Sequence, residues 1–240
     1  MALPKLNVPV YETILPSTEK VIKYRPFLVK EEKILLTAME DDTGKELPAA
    51  IKQIIGNCVL ESLDVNSLPT FDLEFLFLRL RAKSVGEKVK IGLRPWPCSQ
   101  NEGKLCGNST EVEINFEEVK FIKDKDHSSK IMLDENIGIV LDYPTTAVLD
   151  KSKEDSFGIG MDIIKESVKM IYTKDDVYER DSFSTEDLDE FIDSLNSEQF
   201  QKVKKFFDTK PKLSYDVKYK CSTCGEDKTT TLEGLDSFFG

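Results

Sequence analysis

The C-terminal segment "YKCSTCG" places Cys221 and Cys224 with two residues between them. This spacing lets both sulphur atoms approach one metal ion, and Gly225 directly after the pair permits the tight backbone turn that the approach needs. Two thiolates do not complete a structural zinc site, which takes four ligands in a tetrahedron. The C-x-x-C pair is therefore informative only if the chain supplies a second pair.

A second pair, Cys98 and Cys106, lies about 115 residues upstream with seven residues between the two cysteines. The segments at 87–97 and 110–121 that flank it alternate polar and apolar residues, and so do the segments on both sides of Cys221 and Cys224. Such alternation is typical of half-buried strands. The sequence therefore predicts two β-hairpins, each with two cysteines at its tip.

Four thiolates from two hairpin tips form the ligand set of structural zinc in ribbon folds, so we predict a zinc site of Cys98, Cys106, Cys221 and Cys224. A closed four-ligand site leaves no position for water, which implies a structural role for the metal. Two alternatives stay open at this point: cysteines without a common role, and a redox pair. A redox C-x-x-C normally opens a helix after a strand, whereas strand-like residues flank this one on both sides. Cys58 falls on the apolar face of a predicted helix and is expected in the core.

The composition limits the classes of function. The chain of 240 residues is 40% hydrophobic, which is enough for a core without disulfides, and its net charge is −11. An acidic protein is repelled by phosphate backbones, which disfavours non-specific binding of nucleic acid. Neither a secretory signal nor an apolar run long enough for a membrane span is found in the sequence. We therefore expect a cytoplasmic protein that contacts neither nucleic acid nor membrane.

Helical periodicity and strand alternation together predict an α+β fold, in which a helical layer packs on a small antiparallel sheet with the two cysteine-tipped, zinc-ribbon-like hairpins. The predicted helices cover 29–41, 47–60, 70–85, 161–173, 184–195 and 196–211. Ser184 and either Asn196 or Ser197 are expected as N-caps.

Four regions follow from these elements, and we expect them to form one composite domain. They are an N-terminal arm with helices (1–85), a β-rich region with the first cysteine hairpin (86–150), a helical region (151–212) and the C-terminal cysteine hairpin with an aromatic tail (213–240).

Nothing in the sequence argues for catalysis. The only histidine, His127, lies in a charged loop without an evident orienting partner, and neighbouring acidic residues are common in a chain with 44 of them. The terminal Phe238 and Phe239 either pack back on the core or serve as an aromatic anchor for a partner protein.

Four stretches, in order, also carry a resemblance to a known family: "YRPFLVKEEKILLTAME", "LRAKSVGEKV", "IGIVLDYPT" and "FFDTKPKLSYDVKYKCSTCGEDKTTTLEGLDSFF". They resemble the baseplate hub assembly proteins of T-even-like contractile-tailed bacteriophages. The Arg-Pro-Phe tripeptide in the first stretch and the C-x-x-C-G motif followed by two phenylalanines in the last stretch are the more specific parts. The resemblance implies a non-enzymatic role in building the baseplate hub, with compact cysteine pairs in both hairpins. The stretched Cys98–Cys106 pair departs from that pattern.

The resulting hypothesis is an assembly factor or hub subunit that binds baseplate hub and tape-measure proteins in the cytoplasm of the infected host, or within the tail baseplate of the virion. The alternative is a zinc-ribbon adaptor that contacts nucleic acid. Clustered lysine and arginine residues would favour the alternative, but Lys218, Lys220 and Lys228 stand among acidic residues. The sequence does not indicate an oligomeric state.

Overall fold

The computed structural model describes residues 6–41, 46–93, 102, 106, 109–147 and 156–238. Over these residues the protein is α+β, as predicted, with helices and small antiparallel sheets. It divides into two compact units. Unit 1 comprises Met1–Val65, Phe71–Ile122 and Lys212–Gly240, and unit 2 comprises Asn66–Thr70 and Lys123–Pro211. None of the helices in this part of the chain is long and apolar enough to cross a bilayer.

The helices in the described residues are α1 Val29–Met39, α2 Glu46–Cys58, α3 Thr70–Val85, α4 Ser156–Ser167, α5 Thr185–Asp193 and α6 Ser197–Asp208. The strands are β1 Tyr11–Ile14, β2 Val21–Tyr24, β3 Lys88–Leu93, β4 Thr110–Asn115, β5 Lys120–Ile122, β6 Lys130–Met132, β7 Gly138–Leu141, β8 Val168–Tyr172, β9 Val177–Glu179, β10 Lys212–Lys220 and β11 Asp227–Glu233.

Unit 1 contains three sheets, all antiparallel: β1 with β2, β3 with β4, and the order β11-β10-β5. In the last sheet Leu213 pairs with Phe121 and Ser214 pairs with Lys120. This pairing connects residues more than 90 positions apart and explains why the C-terminal hairpin belongs to the same unit as the N-terminal helices. Unit 1 contains residues from the first, second and fourth of the regions described in the sequence analysis, because strand pairing joins segments that are distant along the chain.

Arg25, the residue that follows β2, forms a buried ion pair with Glu31 of α1. The Nη2 atom of Arg25 donates to Oε1 of Glu31 at 3.0 Å and to the carbonyl oxygen of Asn57, in the last turn of α2, at 2.8 Å. Oε2 of Glu31 accepts from the backbone N–H of Leu28, which begins α1, at 2.9 Å. The backbone N–H of Arg25 donates to the carbonyl of Cys58. One arginine therefore connects β2, the start of α1 and the end of α2.

Glu31 is fully buried, which by itself would favour the neutral carboxyl group. Burial raises its pKa, but hydrogen bonds from Arg25, from the Leu28 amide and from Lys30 outweigh that effect and bring the pKa below its usual value. The carboxylate is thus ionised at neutral pH and satisfied by donors from three directions. A buried charge with such partners is costly to leave unpaired.

Unit 2 is a four-stranded antiparallel sheet in the order β6-β7-β8-β9, with α4, α5 and α6 contributing to the same core. Its core contains a cluster of buried residues: Leu133, Ile139, Leu141, Ile164, Val168, Leu188, Ile192, Val203 and Phe206.

The helix predicted over 161–173 is wrong in its second half, because α4 ends at Ser167 and Val168–Tyr172 forms β8. β8 is a central strand that pairs with both β7 and β9. Its hydrogen bonds to these two strands stabilise the extended conformation more than a continuation of α4 would stabilise a helix. The segment "VKMIY" is also rich in residues that favour strands.

The predicted N-caps of α5 and α6 are confirmed. The hydroxyl of Ser184 accepts from the backbone N–H of Asp187 at 3.1 Å, and the carboxylate of Asp187 accepts from the Ser184 amide in return. Asn196 and Gln199 form the same reciprocal pair at the start of α6. Each pair satisfies backbone donors that the first helical turn leaves without partners.

Replacement of Glu31 by Gln should destabilise unit 1 by about 3 kcal/mol, because it leaves the Arg25 guanidinium largely buried without its counter-charge. Urea unfolding followed by circular dichroism measures this change. Glu111→Gln is the matched control, since Glu111 pairs with Lys90 in an exposed position and its loss should leave the free energy of unfolding nearly unchanged. Equal effects of the two substitutions would contradict this role for Arg25 and Glu31.

Gly138→Ala should destabilise unit 2 by about 1 kcal/mol or more, because the added Cβ would overlap the ring of Tyr172, its partner across β7 and β8. The ring would have to swing away from Lys130 and Met132, which it contacts. Gly92→Ala in β3 is the control, since a Cβ there meets nothing closer than 3.9 Å. Urea unfolding measures the loss in free energy of unfolding that Gly138→Ala causes. This loss should be much smaller when Tyr172 is also replaced by Ala, and an equal loss in both backgrounds would argue against the clash.

Candidate metal centre

Both segments with cysteines lie on antiparallel hairpins of unit 1. β10 and β11 pair over most of their length and place Cys221 and Cys224 in the connecting turn. β3 and β4 pair from Lys88 with Asn115 to Leu93 with Thr110, and Cys106 lies in their connection. Cys98 also belongs to that connection in the sequence, but it lies outside the described residues.

The turn between β10 and β11 is held by backbone hydrogen bonds. The N–H of Cys221 donates to the carbonyl of Glu226 at 2.9 Å, and the N–H of Gly225 donates to the carbonyl of Cys221 at 2.9 Å. Gly225 has φ +76°, a left-handed conformation that residues with a side chain rarely adopt. The backbone thus brings Cys221 and Cys224 to the same side of one turn, as the C-x-x-C-G spacing predicts.

Side-chain hydrogen bonds connect this turn to the other hairpin. The hydroxyl of Thr110 donates to the hydroxyl of Ser222 at 3.2 Å and accepts from the Ser222 backbone N–H at 3.3 Å. Thr110 begins β4, four residues after Cys106. The two segments therefore approach each other independently of the cysteines. Neither residue was predicted from the sequence, because a serine–threonine contact across 112 positions leaves no periodic signal.

The sulphur atoms of Cys106, Cys221 and Cys224 all lie within 4.8 Å of one another. Cys106 and Cys221 are buried and Cys224 is half-buried. No disulfide joins these three cysteines to one another. Within the part of the chain that the structure describes, they are the one group of three cysteine, histidine or carboxylate ligands close enough to share an ion.

Soft thiolates at this separation are the donors that zinc prefers in structural sites. Three of the four cysteines predicted as ligands are therefore close together, whereas the fourth lies outside the described residues. Cys58, by contrast, is completely buried at the end of α2, where burial raises the pKa of its thiol to about 11. This agrees with its expected place in the core.

Two lysines near the cysteines pair with acidic neighbours. Lys220 lies 3.1 Å from Asp227, and Lys228 lies 3.2 Å from Glu226. These pairs reduce the positive charge that the turn could present to a phosphate backbone, which speaks against the nucleic-acid adaptor.

A comparison with protein families matches residues 8–240 to the model described as "T4 bacteriophage base plate protein". The match runs through both units and both hairpins and is not confined to one motif. This chain belongs to that family. No curated protein and no solved structure matches the chain.

Family membership gives this baseplate protein a structural or assembly role in the phage tail baseplate, where it interacts with other baseplate proteins. The resemblance of the four sequence stretches is thereby confirmed at the level of a T4-like baseplate protein. The assignment to the hub is finer than the family description and stays a proposal.

The C-terminal aromatic residues were predicted either to pack on the core or to anchor a partner. In the structure Phe238 is completely buried, and its ring contacts Phe116 edge-on at a centroid distance of 6.4 Å. A ring in this position is not available to a partner without local opening, so the structure shows the packing alternative for Phe238. Phe239 lies outside the described residues.

His127 has partners that the sequence did not reveal. Its ring stacks on Tyr143 and Phe206, and its nitrogens lie 3.0 Å from the hydroxyls of Thr209 and Tyr143. Burial and the nearby Lys123 lower the pKa of the imidazole. Stacking between aromatic rings makes this histidine part of the packing of unit 2. The partners were missed because they come from residues 16 and 82 positions away.

The baseplate protein should lose stability in unit 2 as the pH falls from about 7 to about 5, because the folded state disfavours the imidazolium whereas the unfolded chain takes up a proton near pH 6.5. The contribution of His127 is fully present above about pH 6.5 and is lost below it. Urea unfolding across this range measures the slope. His127→Phe keeps an aromatic ring and removes the only histidine, so its slope should be shallower. Identical slopes would contradict this account.

Proposed function

We propose that the protein is a non-enzymatic assembly factor or subunit of the baseplate hub that binds hub proteins, tape-measure proteins or both. It is made in the cytoplasm of the infected host and acts at the tail baseplate. The observation that carries this proposal is the family match over residues 8–240, together with the Arg-Pro-Phe and C-x-x-C-G stretches that resemble hub assembly proteins. The family description supports the baseplate, and the resemblance supports the hub.

An exposed apolar face on α1 supports binding to another protein. Val29, Leu36 and Met39 are 66%, 55% and 49% exposed, and Val29 and Leu36 are separated by two helical turns, which places them on the same side. The opposite side of α1 is buried through Leu35 and Ala38. Apolar side chains that share one exposed face favour contact with a partner surface.

The β1–β2 ribbon adds exposed apolar residues in the same unit. Ile14 and Val21 form a directly opposed pair at the end of the ribbon, and they are 57% and 46% exposed. Leu6 and Val10 before the ribbon are also exposed. The proposed binding surface comprises these ribbon residues and the exposed face of α1.

A non-enzymatic role agrees with the positions of the candidate catalytic groups. His127 stacks on Tyr143 and Phe206, the pKa of its imidazole is lowered, and its nitrogens face hydroxyl groups. The buried carboxylates have structural partners: Glu31 pairs with Arg25, and Asp72 accepts from the backbone and hydroxyl of Ser17. These contacts give the three groups structural roles in the fold.

The proposal predicts that the full chain, co-expressed with the hub and tape-measure proteins of the same phage, co-elutes with at least one of them in size-exclusion chromatography. The double substitution Leu36→Asp and Met39→Asp should weaken that complex at least about tenfold, because it places two charges on the apolar face of α1. Calorimetry on the purified components measures the affinity.

Val177→Asp is the matched control, since Val177 is 62% exposed and belongs to unit 2, whereas the proposed surface is built from residues of unit 1. It should leave the affinity unchanged. Co-elution with none of the hub or tape-measure proteins would overturn the proposed function. A complex weakened equally by both variants would assign binding to another surface.

A further inference from the structure

We propose that Cys106, Cys221 and Cys224 bind a zinc ion that ties the β3–β4 connection to the turn between β10 and β11. The metal acts as a structural cross-link within unit 1. This inference is independent of the proposed function, because it concerns how the fold is held and not what the protein binds.

The distances fit a zinc site before the ion is bound. Zinc–sulphur bonds of about 2.3 Å in a tetrahedron place sulphur atoms about 3.8 Å apart. The three sulphurs lie within 4.8 Å of one another, so shifts of about 1 Å or less bring them to this distance. Such shifts are within the reach of side-chain rotation in a turn.

The backbone is already arranged to present the ligands. Hydrogen bonds of Cys221 with Glu226 and Gly225 form the turn, and the Thr110–Ser222 bonds hold it beside the start of β4. None of these bonds uses a sulphur atom as donor or acceptor. A pre-formed arrangement reduces the entropy that metal binding has to overcome.

Three neighbouring thiol groups favour the binding of a divalent cation. Deprotonated sulphurs at this separation repel one another, and a divalent cation removes that repulsion while favouring the thiolates that bind it. Unrelated cysteines from segments about 115 positions apart have no reason to meet at the tips of two hairpins. A disulfide would use only two of them and would leave the third without a role.

The burial of Cys106 and Cys221 indicates a structural role for the zinc ion. Cys106 and Cys221 are 5% and 7% exposed, which leaves little room for a substrate beside the metal. The proposed site comprises these three cysteines, which supply three of the four ligands that a structural zinc ion takes. The ion would stabilise the fold in the same way as metals in small zinc domains, through binding energy that the unfolded chain does not gain.

The test is the metal content of the full chain, purified under reducing conditions without chelator and dialysed extensively. We expect about one zinc ion per chain by mass spectrometry of the elements. Cys221→Ser and Cys224→Ser should lose the metal, whereas Cys58→Ala should retain it. Cys58 is the matched control because it is a buried cysteine outside the cluster.

A spectroscopic measurement covers the case in which a serine variant does not fold. Reconstitution of the wild-type chain with Co²⁺ should give sulphur-to-cobalt charge-transfer absorption and the intense visible bands of tetrahedral cobalt. Cys224→His should keep a tetrahedral site with shifted bands, since imidazole also binds zinc and cobalt. Cys224 is chosen because it is the most exposed of the three and tolerates replacement best.

Chelation gives the structural readout. Removal of zinc with a strong chelator should lower the thermal midpoint of the wild-type chain and should leave Cys224→Ser unaffected. Any of three results would overturn the proposal: a reduced wild-type chain without zinc or cobalt bands, full zinc content in Cys224→Ser, or a disulfide between Cys221 and Cys224 in the purified protein. None of these measurements depends on a baseplate partner, so they fail or succeed separately from the hub hypothesis.

Discussion

The pairing of β5 with β10 is the constraint on which the arrangement of unit 1 depends. It joins residues 120–122 to residues 212–214 and thereby returns the C-terminal hairpin to the part of the chain that contains the N-terminal helices. Closing a loop of this length costs conformational entropy, so the interactions that form once it is closed must offset that cost. They include the Thr110–Ser222 hydrogen bonds, the burial of Phe238 against Phe116 and the approach of three cysteines.

The N-terminal part of unit 1 is held by a different kind of interaction. Arg25 contacts Glu31 at the start of α1 and a carbonyl at the end of α2, so that a single side chain fixes where both helices meet β2. The Arg-Pro-Phe stretch that carried part of the family resemblance is thus explained by geometry. The contact between Arg25 and Asn57 could not be predicted from the sequence, because the acceptor is a backbone carbonyl that any residue could supply.

Local signals predicted much of the fold. The spacing of apolar residues located α1, α2, α3, α5 and α6. The cap at Ser184 was predicted from residue type, and of the two predicted alternatives Asn196 and Ser197 the structure has Asn196. The segment after Ser167 was predicted wrongly as helix. Its side chains are compatible with either structure over a short length, and the hydrogen bonds of β7 and β9 decide between them. Those neighbours cannot be read from the segment itself.

For the candidate metal centre, the sequence by itself determined the cysteines as candidate ligands, the turn at Gly225 and the β3–β4 and β10–β11 hairpins. These features depend on residues that are close together along the chain. Only the tertiary structure decided that Cys106 meets Cys221 and Cys224, that Phe238 is buried and that His127 stacks on Tyr143 and Phe206. Each of these contacts joins distant segments. Their positions are set by the pairing of strands and the packing of cores, which no local pattern encodes.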